Sequence, residues 1–415
     1  MTVPPSSLKA LQRRQFLKYS GLFAASGLAA MAFDQPFTRA ASGNQKMVVI
    51  LLRGAMDGLN AVVPYREREY YEARPSIAIP EPGQPNGLVN LDGQFGLHPA
   101  LAALKPLWDA RQLALIHASG SPDGTRSHFD AQDYLESGTP GFKSTNTGWM
   151  NRLLAQLPRG ASTQAVNLGE TTPRILAGPA PTSNVRAGKT GLPQMAIDRE
   201  PIQAVFDQMY QGNSLLGRVY QEGRRSRELL QQGLNQEMME ASRGAPVPDY
   251  LATNTANLVK LLTGPTQTQL LVLSLGGWDT HVNQGNHGGQ FARRLKPLGN
   301  GMAQMARSLG STFNETVVVV MSEFGRTVSE NGNGGTDHGH GNLMMVMGGG
   351  IKGGKVYGDW RGLAAEDLYQ GRDLPVTTDF RDVLAPLLGA HFQLGDNALS
   401  QIFPNYRVAR PVTLR

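Results

Sequence analysis

His338 and His340 stand two residues apart in Gly335-Thr336-Asp337-His338-Gly339-His340-Gly341, with a carboxylate beside them and glycines around them. Asp279 and His281 repeat that spacing in Trp278-Asp279-Thr280-His281. Residues two apart in extended backbone project to the same side, so each pair offers two donors to one point. Histidine is scarce, with 8 in 415 residues, yet four of them (His281, His287, His338, His340) fall between positions 281 and 340. Imidazole nitrogens and carboxylate oxygens together suit a divalent ion, one or two of them, such as Zn, Mn, Ca, Fe or Mg. Only one of His338 and His340 need be a ligand; the other would fix its partner or touch substrate. Asp337 reads equally as a ligand and as a turn residue.

Further candidates follow other apolar runs. Glu323, in Ser322-Glu323-Phe324-Gly325-Arg326, follows four consecutive valines and a methionine, with Ser322 between. It reads as a ligand, with Gly325 allowing a close backbone approach. Asp57 is a second carboxylate whose Asp-Gly pairing also fits a turn. Arg53 and Arg326 carry forked guanidinium groups that suit an oxyanion, or else make salt bridges. Ser127-His128 sets a hydroxyl at an expected helix start, where free N–H groups favour an anion and a developing alkoxide. Its plainer reading is an ordinary cap. His98, His117 and His391 are expected to be structural. No Gly-x-Ser-x-Gly elbow, phosphate loop or dinucleotide fingerprint is convincing.

The elements that must position these groups are continuous apolar runs. They lie at 46–52, 113–118, 270–275, 316–321 and 343–347. Such runs suit strands buried on both faces. Helical spacing appears at 99–109, 127–135, 201–232 and 291–309. The alternation predicts an α/β sandwich of three layers with a mostly parallel central sheet. In such sheets ligands bind beyond the carboxyl ends of the strands, where the candidates fall. The stretches 81–96 and 177–193 read as long loops, and 200–260 as a possible helical insertion.

The N-terminus is set aside from the fold. Arg13-Arg14-Gln15-Phe16-Leu17-Lys18, an apolar stretch to Phe33, and Thr38-Arg39-Ala40 form a twin-arginine export signal over 1–40. That predicts a mature domain over 41–415, the twin-arginine translocase as a partner, and a periplasmic or secreted location. The apolar stretch is shorter than the roughly 20 residues a span needs, so no stable membrane span is expected. The signal holds five cations against Asp34, so its removal takes the formal charge from +6 to about +2. No basic run with interleaved aromatics appears, which argues against nucleic acid. The chain has no cysteine, which excludes thiolate sites and Cys nucleophiles.

Leu51–Asn60, Ser127–Tyr134, Gly276–His281, Met321–Thr327 and Gly335–Gly341, behind a twin-arginine signal, together resemble the bacterial exported family called domain of unknown function fifteen-oh-one. That family looks distantly related to the alkaline phosphatase and sulfatase superfamily. The resemblance implies an alkaline-phosphatase-like α/β domain and a metal-dependent hydrolase of an anionic phosphate or sulfate ester. By it His338, Asp279 and His281 hold one metal, and Glu323 replaces an Asp of the second. Ser127, or less readily Thr125, sits at the nucleophile position. Phe324 stands where the superfamily has a second His, and Asp57 lies several residues past its expected place. No Cys or Ser precedes x-Pro-x-Arg, so the formylglycine route is not implied. The other reading is a non-catalytic exported binding or assembly protein that keeps the fold.

Overall fold

Alternate residues of one apolar strand feed two separate cores. The strand is β1 (Lys46–Leu52), fully apolar after Lys46 and buried from Met47 onward. Val48, Ile50 and Leu52 pack on one face against Phe291, Leu295, Leu298 and Met302. Met47, Val49 and Leu51 pack on the other against Trp149, Leu153, Phe380 and Val383. A strand buried on both faces explains the absence of polar alternation.

This computed structural model describes residues 44–160, 162–169, 171–185, 240–266 and 268–415, with positions 205, 208–210 and 217 between them. The segment 1–40, the helix expected over 201–232 and most of 200–260 lie outside the described residues.

The other strands of the main sheet are β2 (Leu113–Gly120), β3 (Ala165–Leu168), β4 (Ser183–Val185), β5 (Leu270–Leu275), β6 (Thr316–Ser322), β7 (Asn342–Met347), β8 (Lys355–Tyr357) and β9 (Thr378–Asp379). Their order is β8-β2-β7-β6-β1-β5-β3-β4, with β9 also paired to β2. β1 pairs parallel with β5 (Met47 opposite Leu270) and with β6 (Lys46 opposite Thr316). β7 runs antiparallel to both neighbours, β2 and β6. All other pairings in the sheet are parallel. The mostly parallel sheet expected from the sequence is therefore present, with one reversed strand.

Helices cover both faces. α1 (His128–Ser137), α2 (Trp149–Gln156) and α5 (Phe380–Phe392) border one core, and α3 (Asp249–Thr263) and α4 (Gln290–Leu309) the other. The expected helix at 99–109 is a 3-10 turn, Pro99–Leu104, followed by Lys105–Asp109. The expected loop 81–96 contains Val89–Asn90 and reaches Gly96–Leu97, which pair with Val62–Val63 in a small antiparallel sheet. Among the described residues, no helix is long and apolar enough to cross a membrane.

Candidate metal centre

The carboxyl ends of β2, β5 and β6 each deliver one part of the site. After β6 the chain pairs back on itself. Gly325 N donates to the His340 carbonyl (2.8 Å), Gly339 N to the Gly325 carbonyl (2.8 Å), and Thr327 N to the Asp337 carbonyl (3.0 Å). Arg326 and His338 face each other in this short antiparallel ladder. A Cβ at Gly325 would lie 1.8 Å from the Gly341 carbonyl oxygen. The close backbone approach expected there is thus made by the loop's own return. At Gly54, φ is +109° and a Cβ would lie 2.7 Å from Asp279 N; glycine lets the turn after β1 press on the loop after β5.

At the centre lies Asp279, 3% exposed. Its Oδ1 is 3.0 Å from His281 Nε2 and 3.3 Å from His338 Nε2, and its Oδ2 is 3.6 Å from His128 Nε2. His338 Nε2 is 3.0 Å from His128 Nε2 and 2.9 Å from His281 Nε2. His128, Asp279 and His338 converge closely enough to hold a metal ion, each offering one ligand atom within 4.8 Å of the others. His281 adds a fourth donor beside Asp279 and His338.

Tautomers follow from the outward nitrogens. His338 Nδ1 lies 3.0 Å from the Arg126 carbonyl, which can only accept; Nδ1 therefore carries the proton and Nε2 a lone pair. His128 Nδ1 donates to Glu323 Oε1 at 2.8 Å, and His281 Nδ1 lies 3.2 Å from Asp337 Oδ1. With a cation among them the three inward nitrogens and the carboxylate would all face it; without one, a proton on His128 supplies the positive charge. Outer acceptors that fix the imidazoles in this way are the usual surroundings of metal-bound histidine.

Charge at the site is set by these contacts. Burial pushes the Asp279 carboxyl up, but Arg326 and the three imidazoles outweigh it and hold it well below the carboxylate range. Burial likewise pushes Glu323 up, and hydrogen bonds from His128 and Gln132 pull it down to about 2. Burial lowers His128, yet Asp279 and Glu323 raise it further, to about 9. His338 is lowered, first by burial and then by Arg326 and His128. The anions stay ionised and the centre favours a positive occupant.

The remaining candidates are placed elsewhere. Glu323 accepts from Gly54 N (2.8 Å) and Gln132 Nε2 (2.9 Å) as well as from His128, and is not among the three residues that converge. Asp57 is fully buried, paired with Arg74 at 2.7 Å and bonded by Gln284 at 2.6 Å, outside the centre. Asp337 supports His281 and accepts from Asn331. Arg326 cannot hold a substrate: its nitrogens donate to the carbonyls of Ala55, Thr336, Gly54 and Trp278, and to Asp279. Arg53 is likewise taken, by Gln132 (2.5 Å) and Glu136 (2.7 Å), which lock α1 to the end of β1. Ser127 is the N-cap of α1, and its Oγ accepts from Asp130 N at 3.5 Å. His340 lies against Tyr369, not in the centre. Phe324 packs against His128 and His338, with ring centroids 4.9 and 5.2 Å away. The guanidinium of Arg372 escaped sequence reasoning, because nothing local marks an arginine that borders a site.

A mostly parallel α/β sheet with a three-histidine, one-aspartate cluster at its carboxyl ends defines a candidate metalloprotein. The chain belongs to the family described as "Protein of unknown function (DUF1501)", whose model matches residues 98–403. No curated protein shows a significant match to this chain. Three solved structures are similar at low identity. Ps i-CgsB in complex with k-i-k-neocarrahexaose is 11% identical, covering 85% of this chain and 73% of that one, with a TM-score of 0.38. A protein in the alkaline phosphatase superfamily from Vibrio parahaemolyticus is 11% identical, covering 75% and 61%, with a TM-score of 0.36. The lipoteichoic acid synthase LtaP from Listeria monocytogenes is 8% identical, covering 77% and 69%, with a TM-score of 0.35.

Proposed function

We propose that this protein is an exported, metal-dependent hydrolase of phosphate or sulfate esters. The observation that carries the reading is the convergence of three inward-facing imidazole nitrogens on the Asp279 carboxylate. His128, His338 and Asp279 would hold a divalent ion with His281 as a further donor, and such an ion supplies Lewis acidity toward an ester oxygen and toward a nearby hydroxyl. Glu323 and the Arg126 carbonyl keep His128 and His338 in the tautomer this needs. Ser127, exposed at the start of α1 and adjacent in sequence to His128, is the candidate nucleophile. The dipole at that helix end favours its alkoxide. The Arg13-Arg14 motif supports export by the twin-arginine translocase to the periplasm or beyond. No feature supports a nucleic-acid partner.

A second reading, an exported binding or assembly protein with one structural metal, is favoured by one observation. Phe324 fills the space beside His128 and His338, where a second ion would otherwise have room. Elemental analysis of protein exported through its own signal, with an aryl phosphate and sulfate panel, separates the two. The hydrolase predicts bound metal, turnover abolished by EDTA, and a Ser127→Ala variant that keeps its metal but loses turnover. Metal without any ester turnover selects the second reading, and protein that binds no metal sinks both.

A further inference from the structure

His340 shares a loop with His338 yet takes no part in the centre. It is 7% exposed, and among the described residues neither of its ring nitrogens has a hydrogen-bond partner. Its ring lies 4.4 Å from that of Tyr369. A neutral imidazole carries one donor and one acceptor, so this ring can offer an N–H to a bound anion.

Beside it stands a charge cluster. Asp373, with a wholly buried carboxylate, accepts from Arg126 Nη2 (2.6 Å) and Nε (3.2 Å), and from Arg372 Nε (2.9 Å) and Nη2 (3.1 Å). Two guanidinium groups share this one carboxylate, with Asp123 a second acidic group near His340, and their side chains are 30% and 44% exposed. Among the described residues, neither Nη1 has a partner. Both arginines are tied to His338: the Arg126 carbonyl faces its Nδ1, and Arg372 Nη2 donates to its carbonyl at 2.7 Å. The Tyr369 hydroxyl reaches Gly124, where a Cβ would meet it at 2.8 Å. The same loop leads to Ser127 and His128.

We propose that His340, Arg126 and Arg372 form the anion subsite of this protein. They take the non-bridging oxygens of a phosphate or sulfate monoester, while its ester oxygen lies at the His128–Asp279–His338 cluster. The subsite rests on the hydrolase reading and supplies the guanidinium groups that Arg53 and Arg326 cannot. Forked N–H donors match tetrahedral oxyanions, and Tyr369 holds the His340 ring in place.

Calorimetric titration of the metal-loaded protein with inorganic phosphate, and separately with inorganic sulfate, tests this without turnover. Arg372→Gln and His340→Ala should each weaken anion binding by ~10-fold or more while metal content stays at the wild-type level. His340→Gln, which keeps an N–H donor, should recover part of the loss. Arg126→Gln is paired with Asp373→Asn, so that no buried carboxylate is left without its partner. Arg372 is exposed, and Arg126 still pairs Asp373 without it; unchanged affinity in Arg372→Gln overturns the proposal. So does a metal-bearing wild type that binds neither anion. A wild type without metal overturns the hydrolase reading itself.

Discussion

Two trios of histidine divide the molecule. His98, His117 and His391 each donate from Nε2 to a carbonyl, of Asn286, Val62 and Lys46, at 3.1, 2.8 and 2.9 Å. Their Nδ1 atoms accept, from Ala100 N, Ala118 N and the Arg415 guanidinium. Both ring nitrogens are satisfied by protein, and burial lowers each pKa to about 4. These rings are neutral struts. His128, His281 and His338 invert the pattern: their Nδ1 atoms face acceptors, and their Nε2 atoms turn toward one another and Asp279. Burial alone does not separate the trios, since His128 is buried as His98 is. What separates them is whether the second nitrogen meets a protein donor or instead faces Asp279 and another imidazole.

Removing the carboxylate that unites the inward trio should have the largest effect. In Asp279→Ala the buried Arg326 keeps its carbonyls but loses its counter-charge. An uncompensated buried charge costs about 3–5 kcal/mol. Urea unfolding of metal-free wild type and metal-free variant isolates that loss, and elemental analysis should find the variant without metal. Equal midpoints would break the claim that Asp279 neutralises Arg326. Glu323→Gln is the sharper and smaller probe. Its shape is kept, but His128 Nδ1 no longer faces a carboxylate. Outer-shell changes of this kind cost ~10–100-fold in metal affinity. Competition with a chromogenic chelator measures it, and an unchanged affinity would mean that His128 is no ligand.

The sheet was legible because its long strands are apolar without interruption, and only full burial on both faces tolerates that. The shorter strands Ala165–Leu168, Ser183–Val185 and Lys355–Tyr357 carry no run long enough to register. The reversed direction of Asn342–Met347 is equally silent, since it depends on how the 323–341 loop returns. At the site, the two-residue spacings marked Asp279, His281 and His338, which the fold brings together. The roles of Arg53 and Arg326 were not legible: their partners sit 79 and 47 positions away, at Gln132 and Asp279. His128 was read beside its neighbour Ser127, whereas its contacts are with Glu323, 195 positions on, and His338, 210 positions on. Local spacing shows that donors exist; only the packed sheet ends decide which of them meet.

The strut trio makes its own prediction, in pH rather than metal. His117 is buried within β2, and desolvation, opposed only in part by its bond to the Val62 carbonyl, lowers it from the usual value to about 4. The unfolded chain then takes up a proton near pH 6.5 that the folded chain refuses until about pH 4. Stability therefore falls as pH drops through that window, levels off below it, and is fully present above pH 7. From pH 7.5 to 5 the loss from this one ring is ~2 kcal/mol. In His117→Gln the side chain keeps an N–H for Val62 but cannot titrate. Urea midpoints at the two pH values should show wild type losing ~2 kcal/mol more than the variant, with the metal-site contribution common to both. Equal losses would mean that His117 is not held neutral, and the distinction between strut and ligand would then need another basis.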